Sequence, residues 1–275
     1  MMIDGAIREW KKLVWCGGIP VLASRSVAEE RPVALSYNGS THAVMMATPA
    51  DLEDFGMGFS ITEGIVERAD QISSIEVIES ELGIEVRMWV DADRQKHLVF
   101  RRRAIAGPVG CGLCGIESLE QACPAPHRVN SEQTFPARDL LNAVRALPPL
   151  QRLNQETRAV HAAAFWSAAT GIAEVREDVG RHNALDKLAG TLIQKSVASA
   201  SGAILLTSRV SVEMVQKTAM IGAPILVAVS APTTLAIETA EQAGITLVAV
   251  AREDGYEVFT HPDRIIFTEG RSVAA

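Results

Sequence analysis

The sequence predicts a two-lobe α/β protein, with a small N-terminal α+β lobe at residues 1–103 and an α/β lobe at residues 104–275. Three observations support this prediction. Short strand-like segments fill the first half, strands and helices alternate in the second half, and a stretch rich in glycine and proline separates the two. A chain of 275 residues is long enough for one large domain or two smaller ones.

The N-terminal lobe begins with a predicted hairpin. Residues 32–37 have the character of a strand, the dipeptide Asn38-Gly39 predicts a tight turn, and residues 42–46 return. The other elements predicted here are a helix over residues 51–65 and strands over residues 75–78, 83–90 and 96–100. Three consecutive arginines then precede a glycine-rich loop, so we place the domain boundary near Arg103.

The second half shows a repeated strand and helix pattern. Predicted strands cover residues 203–207, 225–229 and 245–251, and predicted helices cover residues 212–220 and 233–242. Gly222 and Gly244 follow these helices as plausible ends. The alternation predicts a parallel sheet covered by helices on its faces.

In such a sheet, ligands bind beyond the carboxyl ends of the strands. The loops at those ends contain residues 208–209, 230–232 and 252–255. Arg209 and Arg252 bring positive charge there, and the helix N-termini after Ser211 and Pro232 bring free backbone N–H groups. The sequence therefore predicts a site for a phosphate-bearing ligand.

Composition narrows the class of protein. Apolar residues make up 48% of the chain and charged residues 21%, which is ordinary for a globular protein. The longest apolar runs, residues 225–229 and 246–251, are too short to cross a bilayer, and residues 1–13 do not resemble a secretory signal. We therefore expect a cytoplasmic protein that does not bind membranes. A formal charge of −7 argues against nucleic acid as a partner.

The cysteines are the strongest chemical feature. In a reducing compartment, four cysteines indicate catalysis or metal binding rather than structural disulfides. Cys111 and Cys114 form a Cys-x-x-Cys pair flanked by Gly110 and Gly115, eight residues after the triple arginine and just before a helical-looking segment. Nearby cations, a helix N-terminus and this spacing all favour the thiolate, so the loop predicts reactive sulfur.

A second feature is the charged segment of residues 176–187, which groups a histidine, an asparagine, two aspartates and a lysine within ten residues. Asp178 or Asn183 could cap a helix that runs through Leu185 and Leu188. The grouping favours a functional site over a solvated helix, although the spacing alone names no reaction.

The segment Glu-Asp-Val-Gly-Arg-His-Asn-Ala-Leu-Asp-Lys at residues 177–187 resembles the signature of the FdhD family, the formate dehydrogenase accessory sulfurtransferases. Further stretches resemble the family in the same order along the chain: residues 55–65, 111–115, 211–217 and 230–233. The resemblance extends from about Arg31 to Pro262. A series of motifs in the right order is more specific than any single Cys-x-x-Cys.

The resemblance implies a sulfur carrier that takes persulfide sulfur from a cysteine desulfurase. It passes that sulfur to the molybdenum or tungsten bis(molybdopterin guanine dinucleotide) cofactor of formate dehydrogenase. Cys111 matches the persulfide position, and Cys114 would be a second acceptor or a resolving thiol. The resemblance also implies a deaminase-like fold for the second lobe, a homodimer and no permanently bound metal. The implied cofactor-binding residues are Val250, Ala251, Arg252, Glu253, Asp254 and Gly255.

Three alternatives remain open. A zinc deaminase would need a glutamate two residues after a ligand, but His161 and His182 are not followed by one. A structural zinc site could use Cys111, Cys114, Cys123 and His127. A non-catalytic chaperone would bind the guanine dinucleotide and deliver it without sulfur chemistry.

The sequence departs from the family pattern at residues 157–161, where Thr-Arg-Ala-Val-His replaces a common Thr-Gly-Gly-x-His. Arg158 adds bulk and charge where a tight glycine turn is expected, and His161 has an alternative interpretation as a histidine on a helix face. We expect Cys16 and Cys123 to be incidental. We also expect Trp10 and Trp15 to pack within the N-terminal segment.

Overall fold

The computed structural model describes residues 5–91 and 125–267. These residues form a mixed α/β fold with four sheets, which confirms the predicted fold class. The predicted likeness of the second lobe to cytidine deaminases stays a prediction. The boundary predicted at Arg103 lies outside the described residues.

The chain begins with a two-stranded antiparallel ribbon, made of β1 (Ile7–Cys16) and β2 (Ile19–Ala28). A Gly17-Gly18 turn with φ of 60° and 87° joins the strands, a conformation that glycine adopts without strain. The predicted packing of Trp10 and Trp15 is wrong, because these side chains are 59% and 73% exposed. They lie on a ribbon whose base alone packs against the rest of the protein.

A four-stranded sheet follows, in the order β4-β3-β6-β5. Its strands are β3 (Arg31–Tyr37), β4 (Ser40–Ala47), β5 (Ile72–Ser80) and β6 (Gly83–Val90), and helix α1 (Leu52–Thr62) covers one face. The predicted hairpin is confirmed, with Asn38 and Gly39 at φ of 49° and 77°. The predicted helix and the strands at 75–78 and 83–90 are confirmed too, whereas the strand predicted at 96–100 lies outside the described residues.

A six-stranded sheet forms the centre of the second lobe, in the order β13-β12-β11-β10-β8-β9. Its strands are β8 (His161–Ser167), β9 (Gly171–Asp178), β10 (Gly202–Leu206), β11 (Ile225–Ala228), β12 (Thr246–Ala249) and β13 (Glu257–Val258). Strands β10, β11 and β12 are parallel, as predicted. The prediction of a wholly parallel sheet is wrong, because β8 and β13 run antiparallel to their neighbours. The continuous apolar run that follows His161, which has an alternative interpretation as a helix face, is a buried strand, β8.

Helices cover both faces of this sheet. One face carries α4 (Arg181–Gln194), α5 (Val212–Ile221) and α6 (Thr234–Ala243), and the opposite face carries α2 (Ala137–Ala146). The remaining elements are α3 (Arg152–Thr157), the strand pair β7 (Phe135–Pro136) and β14 (Ile265–Ile266), and single 3₁₀ turns at Ala69–Gln71, Pro148–Leu150, Ser199–Ser201 and Pro262–Arg264. Gly222 and Gly244 end α5 and α6 in the left-handed conformation, as predicted.

The two lobes meet where α1 crosses α4. A Cβ atom on Gly58 would lie 1.7 Å from the Asp186 carbonyl oxygen, and one on Gly190 would lie 1.9 Å from the Asp54 carbonyl oxygen. The helix backbones are therefore in direct contact, and only glycine allows this approach at either position.

Candidate functional site

The carboxyl ends of β10, β11 and β12 meet at one edge of the six-stranded sheet, as predicted. Backbone hydrogen bonds tie the loops there to one another. The Val250 N–H donates to the Ser230 carbonyl over 3.3 Å, and the Val210 N–H donates to the Ala231 carbonyl over 3.3 Å. Because α4, α5 and α6 also begin at this edge, three helix N-termini point their free N–H groups toward it.

The loop of residues 250–255 has a constrained backbone. Val250 has φ of 52°, in the left-handed region that β-branched residues rarely adopt. The Arg252 N–H donates to the Gly255 carbonyl over 2.8 Å and closes the turn, while the Arg252 guanidinium donates to the carbonyls of Val229 and Ala251. Ala251 is buried and Arg252, Glu253 and Asp254 are exposed. The strand end is thus held in a shape that presents these three side chains to solvent.

Helix α2 braces the same loop from its other side. The Arg145 guanidinium donates to the Glu253 carbonyl, with the Nε atom at 2.7 Å. The Tyr256 hydroxyl donates to the Ala137 carbonyl over 3.1 Å, and burial raises the pKa of this tyrosine. These contacts fix the loop without using the Arg252 guanidinium for a carboxylate.

Three arginines at this edge have no carboxylate partner among the described residues: Arg181, Arg209 and Arg252. We call the part of the sheet edge that carries them the cationic edge. The Nε atom of Arg181 is buried and has no hydrogen-bond partner within the described ranges. The rest of Arg181 is partly exposed. A guanidinium with a buried N–H group that lacks an acceptor favours an anionic ligand, since a carboxylate or phosphate would supply the missing bond.

His161 lies at the cationic edge beside Arg181. It begins β8, opposite Asp178 of β9, and shares its face of the sheet with Ala163 and Phe165, which pack toward α4. Burial lowers the pKa of His161, the Arg181 charge lowers it further, and Asp178 opposes them. The imidazole is therefore held in its neutral form next to a cation.

A histidine and glutamate pair joins the first turns of α4 and α5. His182 Nε2 lies 3.9 Å from Glu213 Oε2. Interaction with the His182 imidazole outweighs burial and lowers the pKa of Glu213 to about 2. Glu213 therefore stays ionised and links two of the helix N-termini that face the edge.

Most of the charged segment at residues 176–187 is buried between the lobes. Asp178 and Lys187 are fully buried, with Oδ2 and Nζ 2.6 Å apart. Lys187 also donates to the Thr48 carbonyl over 2.9 Å, and the Thr48 N–H donates to Asp178 over 3.0 Å. Asn183 donates to the Met46 carbonyl over 2.9 Å. The contacts with Thr48 and Met46 run from the second lobe to the end of β4 and the loop after it.

A second buried ion pair begins at Asp186, the residue directly before Lys187 in α4. Lys217 Nζ lies 2.8 Å from Asp186 Oδ1 and 2.8 Å from Glu63 Oε1, and the Thr62 hydroxyl donates to Asp186 over 2.5 Å. Burial alone would lower the pKa of Lys217, but the two carboxylates raise it above its ordinary value. We call the two ion pairs and the groups that bond to them the lobe joint: Thr48, Thr62, Glu63, Asp178, Asn183, Asp186, Lys187 and Lys217.

The rest of the charged segment is structural as well. Arg176 Nε lies 2.7 Å from Asp54 Oδ2, and its NH1 lies 3.2 Å from Glu174. The buried Glu177 accepts the N–H groups of Leu153 and Asn154 at the start of α3, each over 2.9 Å. The predicted capping of α4 by Asp178 or Asn183 is wrong, because Gly180 is the N-cap and no side chain caps it. Only Arg181 and His182 of this segment reach the cationic edge.

Comparisons with known proteins identify the family. A model of the FdhD/NarQ family matches residues 28–266. The chain belongs to the FdhD/NarQ family. A relative from Agrobacterium fabrum, named Sulfur carrier protein FdhD, is 54% identical over 96% of this chain and 98% of its own length. A relative of the same name from Cupriavidus necator is 52% identical over 91% of this chain and 87% of its own length.

The fold of this FdhD/NarQ chain also matches a solved structure. A formate dehydrogenase accessory protein from Desulfotalea psychrophila aligns with a TM-score of 0.73 at 26% identity, covering 95% of this chain and all of that one. The resemblance drawn from the sequence motifs is thus confirmed at the level of family and fold.

The cysteines that dominate the sequence prediction, Cys111, Cys114 and Cys123, lie outside the described residues. The zinc alternative therefore stays a hypothesis, and within the described ranges no group of three histidine, cysteine, aspartate or glutamate residues could hold a metal ion. No helix in the part of the chain that the structure describes is long and apolar enough to cross a membrane.

The tight turn expected at residue 158 is present, although arginine stands there in place of the family's common glycine. Arg158 ends α3 with φ of 57°, the left-handed conformation for which glycine is suited. His161 then begins β8, so its interpretation as a helix-face residue is wrong. The sequence prediction missed Arg181 and His161 as site residues, although both lie directly beside strand ends, as Arg209 and Arg252 do.

Proposed function

We propose that this protein carries persulfide sulfur on Cys111 and delivers it to the guanine dinucleotide form of the molybdenum or tungsten cofactor of formate dehydrogenase. The names of its relatives support sulfur carriage, and the resemblance of residues 111–115 to the family's cysteine loop supports Cys111 as the carrier residue. The observation that carries the cofactor half of the proposal is the cationic edge. Within the described ranges its arginines have no carboxylate partner, and α4, α5 and α6 begin beside them.

The loading step needs a thiolate and a sulfur donor. The Cys111 thiolate attacks the outer sulfur of the donor persulfide, a new S–S bond forms on Cys111, and the donor cysteine leaves as a thiolate. A cysteine desulfurase with its own persulfide is the proposed donor. No general base is needed, because the family's Cys-x-x-Cys loop and its neighbouring arginines favour the thiolate.

In the delivery step, the S–S bond on Cys111 breaks, the outer sulfur becomes a ligand of the cofactor metal, and Cys111 returns to the thiolate. The reduced metal of the acceptor supplies the two electrons that this cleavage needs. Cys114 is the proposed second acceptor or resolving thiol.

The residues at the cationic edge fit an anionic dinucleotide. Arg252, with the constrained loop of residues 250–255, offers a guanidinium and backbone groups at the end of β12. The neutral His161 lies at the start of β8 and Arg181 lies after β9, three and four strands from β12, or roughly 14–19 Å at the usual strand spacing. An extended ligand with several phosphates can span that distance. We propose that His161 donates a hydrogen bond to it while Arg181 supplies charge.

Intact-protein mass spectrometry tests whether Cys111 carries sulfur. The wild-type chain, incubated with a cysteine desulfurase and L-cysteine, should gain about 32 Da, the mass of one sulfur atom. Cys111→Ala should not gain it, and Cys114→Ala should. Retention of the adduct in Cys111→Ala would contradict the proposed carrier residue.

A non-catalytic chaperone is the second candidate, because the cationic edge by itself would suffice to bind and deliver the cofactor. The same experiment separates the two functions. If the wild-type chain gains no sulfur but binds a guanine nucleotide, the chaperone is correct.

A further inference from the structure

The ribbon of β1 and β2 exposes an unusual amount of apolar surface. Among the described strands, β1 and β2 pair only with each other. Six large apolar side chains of the ribbon are more than half exposed: Trp10 (59%), Leu13 (65%), Trp15 (73%), Ile19 (66%), Val21 (52%) and Leu22 (81%). Exposed apolar patches of this kind mark sites of interaction with other proteins or with membranes.

Most of these side chains lie in the ribbon tip, which we define as residues 13–22. The tip contains no charged side chain. Leu13 lies directly opposite Leu22 on one face of the ribbon, and Val14 lies opposite Val21 on the other face. The tip is therefore apolar on both faces, and whatever covers it must surround it rather than lie against one side.

Positive charge lies directly behind the tip. Lys11 follows on the face of Leu13, and Lys12 and Arg25 follow on the other face. None of these three cations has a carboxylate partner among the described residues. The ribbon as a whole carries four cations against one anion, whereas the whole chain has a formal charge of −7. The ribbon is thus a positive region on an acidic protein.

The base of the ribbon is firmly attached. Ala6 is fully buried and packs with Ala50 and Leu153. The Arg25 guanidinium donates to the Thr157 carbonyl over 3.1 Å. The ribbon is therefore a projecting arm that is fixed at one end, so the body of the protein sets the direction in which the tip points.

We propose that the ribbon tip inserts into the surface of a lipid bilayer that contains anionic lipids. A bilayer surrounds an inserted tip on all sides, and its layers match the order along the ribbon, since acyl chains cover the apolar tip and anionic headgroups meet the cations behind it. Trp10 lies at the level of the cations and Trp15 lies in the tip, so both are near the membrane interface, where tryptophan is enriched. The same headgroups repel the acidic remainder of the protein, so the ribbon alone approaches the membrane.

The backbone limits how deeply the tip enters. The outer edges of β1 and β2 are unpaired among the described strands, and open sheet edges do not occur in the hydrocarbon core of a bilayer. Four residues of each strand extend roughly 13 Å beyond the lysines, and interfacial segments bury about 5–10 Å. The tip therefore lies at the boundary between headgroups and acyl chains and does not span the bilayer.

The proposal replaces the expectation that this protein does not bind membranes. That expectation rests on the length of the apolar runs and on the character of residues 1–13. Neither observation bears on a hairpin that enters a bilayer from one side. Membrane binding by the ribbon goes beyond the proposed sulfur carriage and does not depend on Cys111.

Flotation of the full chain with lipid vesicles tests the proposal. The wild-type chain should float with vesicles of equal parts phosphatidylglycerol and phosphatidylcholine. It should bind vesicles of phosphatidylcholine alone at least about tenfold more weakly, because each cation near an anionic surface contributes about fivefold in affinity.

Two matched variants locate the contact. Leu22→Glu places a charge in the tip and should weaken binding to the anionic vesicles at least about tenfold. Leu82→Glu makes the same change at a leucine that is 91% exposed in the turn between β5 and β6, and it should bind like the wild type. Because both leucines are exposed, neither change should unfold the protein.

Tryptophan fluorescence distinguishes insertion from adsorption by charge. Lipids with brominated acyl chains quench tryptophans that lie close to those chains. They should quench the wild-type chain on vesicle binding and quench Trp15→Phe less, although that variant keeps an apolar side chain and should still float.

Failure of the wild-type chain to float would overturn the proposal, as would equal flotation of Leu22→Glu and Leu82→Glu. Flotation without quenching would also overturn it, because it would show adsorption by charge alone. Sulfur loading of Leu22→Glu, measured in parallel, should match that of the wild type. Loss of loading in this variant, without flotation of the wild-type chain, would assign the ribbon to the sulfur donor instead of a membrane.

Discussion

Two arginines five residues apart show how differently the same side chain is used in this protein. Arg176 lies within 4 Å of three carboxylates, those of Asp51, Asp54 and Glu174. Arg181 has no carboxylate partner among the described residues, and its Nε atom is buried without an acceptor. The first belongs to the buried contacts between the lobes and the second to the cationic edge. Charge density along the sequence thus does not locate a ligand site, whereas unsatisfied charge in the structure does.

The largest effect should come from breaking the lobe joint. Lys187→Met leaves the fully buried Asp178 without its cation, so we expect a loss of about 3–5 kcal/mol in the free energy of unfolding. Denaturant titration measures this loss. Lys195→Met removes a lysine that is 55% exposed and pairs with Glu174, and should cost less than about 1 kcal/mol. Equal losses of unfolding free energy in the two variants would show that the buried ion pair stabilises the fold no more than the exposed one.

The crossing of α1 and α4 should be the next most sensitive point. Gly58→Ala places a methyl group 1.7 Å from a backbone oxygen, so the helices must separate, at a cost of about 3 kcal/mol. Gly56→Ala on the same helix meets the Val86 side chain at 2.7 Å, which can move, and should cost about 1 kcal/mol. Thermal unfolding of both variants checks the difference. A milder effect at Gly58 than at Gly56 would contradict the packing described.

The link between the helix N-termini should show in the pH dependence of stability. The pKa of Glu213 is about 2 in the folded protein and 4.5 otherwise, so its contribution is complete above pH 4.5 and is lost as pH falls toward 2. From pH 5 to pH 3, the wild-type chain should lose about 2 kcal/mol more than Glu213→Gln. Other acidic groups titrate alike in both chains. Parallel pH curves for the two chains would show that the His182 and Glu213 contact does not stabilise the fold.

Substitutions at the cationic edge should change ligand binding rather than the free energy of unfolding. One GDP diphosphate is too short to bridge Arg181 and Arg252, so each arginine should hold the phosphates of a separate GDP molecule. Arg252→Gln or Arg181→Gln should weaken binding at one of these two sites about tenfold, because a charge-assisted hydrogen bond to phosphate is lost. Unfolding free energies should stay within about 0.5 kcal/mol of the wild type. Arg68→Gln, which alters an exposed arginine paired with Asp70, is the control for both measurements. GDP affinity is measured by calorimetric titration. If the edge variants and this control have the same affinity, the cationic edge is not part of the binding site.

The sequence predicted the local secondary structure well, but it did not predict which charged residues are buried and paired. The turn at Asn38-Gly39, the ends of α5 and α6 and the parallel strands depend on local chemistry and periodicity, and the structure confirms them. Strand β8 was missed because its run of alanines has no clear period of two. The role of Asp178 was missed because its partners Thr48 and Lys187 come from the other lobe and from the next helix. Pairing across 130 residues leaves no trace in a local pattern.

The most direct measurement follows sulfur from Cys111 to the cofactor. Protein loaded with persulfide is mixed with the reduced guanine dinucleotide cofactor, and the adduct of about 32 Da is followed by mass spectrometry. The wild-type chain should lose the adduct, whereas a chain with both Arg181→Gln and Arg252→Gln should load normally and keep it. Delivery by that double variant at the wild-type rate would contradict the claim that the cationic edge receives the cofactor.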